Sequence, residues 1–288
     1  MSSPRLLQLA AQLLPVPSAA DHKYTRGVVG FVTGGQDFPG AALLGVSAAL
    51  GCPVGMVRYV GPLSVSDLVV LEHPEVVVTQ AAAGAGHCNA WVLGSGVAAT
   101  DQAQIQNLQQ VLKLQPVAVV DAQALEQIDF TSAAAVGSKL LLTPHLGEAR
   151  RLANRLGLDP QVFPVGTDES VALATALALA TGQTVLLKGS VTVLVAPGGV
   201  TRLIGPNSPH LATAGTGDVL AGILGALAAI QQASHNAQNQ PFDWLDIAEL
   251  AVLLHSEAAQ LVAKTQVVTA SAVSRALPGL VRNLQESA

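Results

Sequence analysis

The residue types and spacings best suited to chemistry fall in 208–230, SPHLATAGTGDVLAGILGALAAI. Gly215 and Gly217 bracket Thr216, and glycine lets backbone amides take up the geometry and close approach that an anion-binding loop requires. Asp218 follows at once, and Leu220, Ile223, Leu224 and Leu227 then recur at i, i+3, i+4 and i+7, the stripe of a helix packed on a core. The spacing therefore predicts a helix over 219–230 that begins at the turn. Its free amides, from Ala214, Gly215, Thr216 and Gly217, would surround an anion at the positive end of the helix dipole. A carboxylate in such a turn repels phosphate unless it handles a proton or a metal ion, so Asp218 points to phosphoryl chemistry. The plainer role for the same residues is a helix cap.

Two further groups carry chemistry at predicted strand ends. Thr143-Pro144-His145-Leu146-Gly147-Glu148 sets a histidine and a glutamate three residues apart, near one face of an ensuing helix. That pair suits a substrate contact from His145 and a hydrated Mg²⁺ held through water by Glu148; the alternative is a cap from Thr143 with Glu148 complementing the dipole. Lys188-Gly189-Ser190-Val191-Thr192 offers ammonium, amide and hydroxyl donors to a nucleotide phosphate or ribose, or else a strand-terminal lysine in a hairpin. Asp121 ends a strand and either touches a ligand or caps the next helix.

Several chemistries are excluded by pattern. There is no GxxxxGK[ST] loop, GVVGFVTGG lacks GxGxxG spacing, and no GxSxG elbow occurs. Cys52 and Cys88 form no CxxC or CxxH pair, which argues against zinc or a disulfide framework. His22, His73, His87, His210, His235 and His255 show no metal-ligand spacing and read as ordinary polar or core histidines.

The elements that position these groups alternate. Short strands are expected at 27–33, 54–60, 75–79, 90–94, 117–121, 139–142 and 184–188, with hairpin-like strands at 191–196 and 199–204. Helices are expected at the N-terminus, from the glycines after 33 to about 50, and at 64–73, 101–114, 168–181, 243–264 and 270–285, with a polar surface loop over 231–242. This βαβα order implies an α/β fold with a mostly parallel sheet, helices on both faces, and ligands outside the carboxyl ends of the strands. Half of the 288 residues are hydrophobic, 11% are charged and 3% are aromatic, which suits strands buried on both faces and one domain over 1–288. A net charge of −5 offers no basic stripe for nucleic acid. The opening MSSPRLLQLAAQLLPVPSAA has the outline of a leader, but Gln8 and Gln12 make it an amphipathic helix instead, and no stretch approaches a membrane span. The expectation is a soluble, cytoplasmic protein.

LLP at 13–15, HK at 22–23, GG followed by FPGAALL, VLGSG at 92–96, DAQAL at 121–125, TPHLGE, LLKGSVT and LATAGTGDVLAG occur in one order along nearly the whole chain. In that combination the sequence resembles the ADP-dependent NAD(P)H-hydrate dehydratases of the ribokinase-like superfamily. The resemblance implies repair of NADH or NADPH hydrate, with ADP as co-substrate and Mg²⁺ as cofactor, releasing AMP and phosphate. Carried over by motif, Ala41, Gly94, Gly96, His145 and Asp218 would contact the hydrate, and Lys188 to Thr192 with Gly217 the AMP moiety. Asp218 would be the catalytic base. Ser95 stands where the family has proline. The resemblance further implies a homotetramer and a functional link to an NAD(P)H-hydrate epimerase carried on a separate chain. A superfamily kinase of a vitamin-precursor alcohol, using the same aspartate and amides, is the alternative.

Overall fold

The computed structural model describes residues 3–132, 139–158, 167–238 and 241–287. Its strands are short and apolar: β1 (Val28–Val32), β2 (Met56–Val60), β3 (Val77–Thr79), β4 (Ala90–Leu93), β5 (Val117–Val120), β6 (Lys139–Leu142), β7 (Thr184–Leu187), β8 (Thr192–Val195) and β9 (Thr201–Ile204). They form one sheet in the order β3-β2-β1-β4-β5-β6-β7-β8-β9. Pairing is parallel from β3 to β7, and β8 and β9 add an antiparallel hairpin.

Because side chains alternate across a strand, adjacent residues serve two cores. Val92, Val119, Leu141 and Leu186 join the core on one face, and Leu93, Val120, Leu142 and Leu187 the other. The first core is covered by α1 (Pro4–Leu13), α2 (Pro39–Leu50), α3 (Leu63–Glu72), α8 (Thr216–Gln238), α9 (Trp244–Ala263) and α10 (Ala270–Glu286); the second by α4 (Gln102–Leu112), α5 (Gln123–Gln127), α6 (Leu146–Arg155) and α7 (Thr167–Thr181). Burial on both faces is what a near-continuous apolar strand requires.

The predicted stripe is buried: Leu220 is 6% exposed, and Ile223, Leu224 and Leu227 are 0%. Each such side chain contributes roughly 1.5–3 kcal/mol on leaving water, so the helix carrying Asp218 is firmly seated. It differs in length from the expected 219–230. It starts at Thr216 and runs on to Gln238 through the segment read as a surface loop. The polar run misleads because only one face need be apolar: Ile230 and Ala233 pack inward, and buried Gln231 donates through Nε2 to the Leu13 carbonyl of α1 at 3.3 Å. No described helix is long and apolar enough to cross a membrane.

Candidate active site

The strand order brings the carboxyl ends of β1, β4, β5, β6 and β7 side by side, and the groups singled out in the sequence emerge there. Gly34 follows β1 and donates its amide to the Ser95 carbonyl at 2.7 Å, which joins the loops after β1 and β4. Gly94 has φ +103°, and a Cβ there would lie 2.2 Å from the Asp121 carbonyl oxygen. Only glycine fits. On Gly96 a Cβ would come within 2.4 Å of the Ala41 Cβ, so Gly96 and Ala41 are closely packed, while Gly94 packs against Asp121 and Ala124.

Asp121 is the junction. It is 4% exposed, its Oδ2 accepts from Ser95 Oγ at 2.9 Å, and its Oδ1 accepts from Thr143 Oγ1 at 3.0 Å and from Lys188 Nζ at 2.6 Å. One carboxylate thus ties together the ends of β4, β5, β6 and β7. It does not cap α5, whose N-cap residue is Ala122 and has no side-chain cap. Spacing alone could not reveal this role, because the three donors come from distant stretches; the serine in place of the family's proline was the available signal.

In the TPHLGE segment the alternative of a cap from Thr143 is not the arrangement found. His145 is the N-cap of α6, its Nδ1 accepting the amides of Gly147 and Glu148 at 3.0 and 3.3 Å, while Glu148 Oε2 accepts the His145 amide at 2.8 Å. This reciprocal capping box holds both side chains, and the His145 side chain stays 55% exposed. The Lys188 amide donates to the Pro144 carbonyl at 2.9 Å, and Lys188 Nζ lies 3.9 Å from Glu148 Oε2. Burial disfavours the Lys188 ammonium, but the negative charges of Asp121, Glu148 and Asp218 and the hydrogen bond to Asp121 raise its pKa above the usual lysine range.

Lys188 to Thr192 form the β7–β8 turn. Gly189 and Ser190 are exposed and Val191 half-buried, whereas Thr192 is 3% exposed and its hydroxyl accepts from Asn207 Nδ2 at 2.9 Å. Asn207, missed in the sequence, also donates to the Gly189 carbonyl at 3.0 Å and bonds its own amide to the Ser190 carbonyl at 2.8 Å. It shapes the turn from behind.

The start of α8 completes the site. Gly215 has φ +88°, and the first helical bond runs from the Val219 amide to the Gly215 carbonyl at 3.2 Å. Of the four amides expected to face an anion, that of Thr216 leans on the Thr213 carbonyl at 3.4 Å; among the described residues those of Ala214, Gly215 and Gly217 have no backbone acceptor. A Cβ on Gly217 would lie 3.8 Å from Lys188 Nζ. Asp218 is half-buried, and its pKa is pushed up to about 6, first by burial and then by the Asp121 charge, with Lys188 opposing. Free amides, an ammonium and a carboxylate that titrates near neutrality therefore meet at one helix start, an arrangement that can hold a transferring phosphoryl group and take a proton.

A cavity of 940 Å³ elsewhere is bounded by Leu13, Arg26, Gln231 and Asp243 at the opposite ends of β1 and α8, and none of these chemical groups reaches it. Among the described residues no three His, Cys, Asp or Glu side chains gather to hold a metal ion by themselves.

The sheet order and a helix start armed in this way define a ribokinase-like α/β enzyme. Within that class the chain belongs to the NAD(P)H-hydrate dehydratase family, whose profile matches residues 29–278. It is 42% identical over 218 residues to the bifunctional NAD(P)H-hydrate repair enzyme Nnr of Mycobacterium tuberculosis, covering 75% of this chain and 43% of that protein. The chain thus spans less than half the length of that relative. It is 28% identical over 296 residues to the ADP-dependent (S)-NAD(P)H-hydrate dehydratase of Xanthomonas campestris, covering 96% of each. The ADP/ATP-dependent NAD(P)H-hydrate dehydratase of Bacillus subtilis, co-crystallized with ATP/Mg²⁺, superposes with a TM-score of 0.78 at 26% identity, covering 96% of this chain and 97% of that one.

Proposed function

We propose that this protein dehydrates the S form of NADH or NADPH hydrate at the expense of ADP, releasing AMP and phosphate. The observation that carries the reading is the Asp218 carboxylate, with its pKa pushed up to about 6, in the same turn as the Gly215 and Gly217 amides, which have no backbone acceptor among the described residues, and close to Lys188. Hydroxide is a poor leaving group, so the ring hydroxyl is first made into a phosphate ester. Asp218 takes the hydroxyl proton as that oxygen attacks the terminal phosphorus of ADP, and AMP departs. The ring nitrogen then expels phosphate, and the neighbouring carbon gives up a proton to restore the dihydronicotinamide. No net redox change occurs.

In this reading Ala41, Gly94, Gly96 and His145 contact the hydrate, while Lys188 to Val191 and Gly217 contact the AMP moiety. Thr192, with its hydroxyl engaged by Asn207, supports the turn. The amides of Ala214, Gly215 and Gly217 stabilise charge on the transferring group, a role worth about 10²–10³-fold per donor in other enzymes. Mg²⁺ would neutralise nucleotide oxygens. Glu148 fits it only through water, because both its oxygens already face His145, at 2.8 Å from the amide and 3.5 Å from Nε2.

The test is incubation with ADP and hydrated NADH, following recovery of the reduced-nicotinamide absorbance. A kinase of a vitamin-precursor alcohol would give none, and the family match disfavours that alternative. We further propose one domain over 1–288, a cytoplasmic homotetramer and a functional link to an NAD(P)H-hydrate epimerase. The single continuous sheet supports the first and the bifunctional relatives the last.

A further inference from the structure

Gln104, in the first turn of α4, is 1% exposed and has no motif around it. Its Nε2 donates to the Gly34 carbonyl at 2.9 Å and reaches the Thr33 and Val60 carbonyls at 3.3 and 3.4 Å, so one amide group spans the carboxyl ends of β1 and β2. Its Oε1 accepts from Asn107 Nδ2 at 3.1 Å. Asn107, 5% exposed, is fixed in turn, because Nδ2 also donates to the Gln80 carbonyl at 3.1 Å and Oδ1 accepts the Ala82 amide at 3.0 Å. A carbonyl only accepts and a backbone N–H only donates, so this chain of contacts settles which end of each amide is which. Reversing Gln104 would set its oxygen against three carbonyl oxygens.

The loop held in this way packs on the candidate site. Gly34 donates its amide to the Ser95 carbonyl at 2.7 Å. A Cβ on Gly34 would lie 2.8 Å from the Ala42 Cβ, and one on Gly96 would lie 3.3 Å from the Gly34 Cα as well as 2.4 Å from the Ala41 Cβ. Gly34 therefore sits against both Gly96 and the start of α2, and in contacts this close a shift of one backbone is passed to the next. Tyr59 Oη donates to the same Thr33 carbonyl at 2.9 Å. An apolar side chain could fill the space of Gln104, but a buried amide satisfied at both ends selects one arrangement of the loop.

We propose that Gln104 is a positioning residue for the hydrate: by fixing the Thr33 and Gly34 carbonyls it sets where Gly96 and Ala41 stand for the nicotinamide substrate. The inference rests on the dehydratase reading for that substrate contact. The clamp itself rests on the distances.

The test is Gln104→Met, which keeps the length of the side chain and removes the donor. KM for hydrated NADH should rise roughly tenfold, about the worth of one hydrogen bond, while KM for ADP stays within about twofold. If the Met variant does not fold, Asn107→Ala takes its place, since it frees the Gln104 amide from behind and should shift the same KM in the same direction. A wild-type KM for the hydrate in the folded variant, or equal rises for hydrate and ADP, would overturn the inference. Hydrogen exchange supplies a readout independent of turnover. In the folded variant the Gly34 amide should exchange faster than in wild type, while the Lys188 amide, bonded to the Pro144 carbonyl, keeps its wild-type rate. If wild-type protein fails to convert the hydrate, the functional reading falls, and Gly34 exchange alone decides whether Gln104 holds the loop.

Discussion

Lys188 Nζ lies 2.6 Å from Asp121 Oδ1, with side-chain exposures of 22% and 6%. An ion pair this far out of water is costly to break from one side, because the surviving charge keeps its desolvation penalty without its partner. The pair also joins two loops, since Asp121 holds Ser95 of the loop after β4 and Lys188 opens the β7–β8 turn. Asp121→Ala should therefore destabilise the fold by about 3 kcal/mol. It should also weaken ADP binding, as Lys188 loses its anchor. Urea unfolding and calorimetric titration with ADP check the two effects; an unchanged urea midpoint would show the pair to be unimportant for stability.

Asp218→Asn should keep the fold and bind ADP, yet lose turnover on hydrated NADH by about 10²–10⁴-fold, the usual worth of a general base. Near-normal turnover would remove Asp218 from that role. In the wild type, kcat/KM should fall as pH drops through about 6, where Asp218 takes up its proton.

The same pKa makes a stability prediction of the opposite sign. An acid whose folded pKa is raised from 3.8 to about 6 binds more protons folded than unfolded between those values, so stability declines as pH rises through that window. At neutral pH the ionised carboxylate is a burden, and Asp218→Asn should be more stable than wild type by about 2 kcal/mol after allowance for partial exposure. The advantage should vanish near the unfolded pKa. Urea midpoints at acid and neutral pH measure it, and a pH-independent difference would count against the raised pKa.

Helices α2 and α8 meet at glycines: a Cβ on Gly222 would lie 2.1 Å from the Gly45 carbonyl oxygen. Backbone cannot swing away as a side chain can, so Gly222→Ala should cost about 1–3 kcal/mol or more. Because α8 must shift to accept it, turnover should fall beyond the stability loss. Thermal melts and kcat at a temperature where both proteins are folded separate the two.

Chelation of Mg²⁺ should abolish turnover while leaving the melting temperature of the nucleotide-free protein unchanged. In the proposed reading the ion serves nucleotide oxygens, and among the described residues no three metal-ligand side chains gather. A large fall in melting temperature with chelator would mean that the ion has a structural role.

The sequence by itself determined the α/β class, the strand and helix order and the helix start at GTGD, because periodicity and glycine placement are local properties that each segment carries alone. It also marked Ala41, Gly94, Gly96, His145, Lys188 and Asp218. It misjudged 231–238, since a polar run with one inward face reads like a loop until α1 is packed against it. It left Asp121 ambiguous and overlooked Asn207. Each acts through partners far along the chain: Ser95, Thr143 and Lys188 for the first, the β7–β8 turn for the second. Only the folded sheet, by setting distant strand ends side by side, decides which buried polar groups find one another and how the charges among them move a pKa.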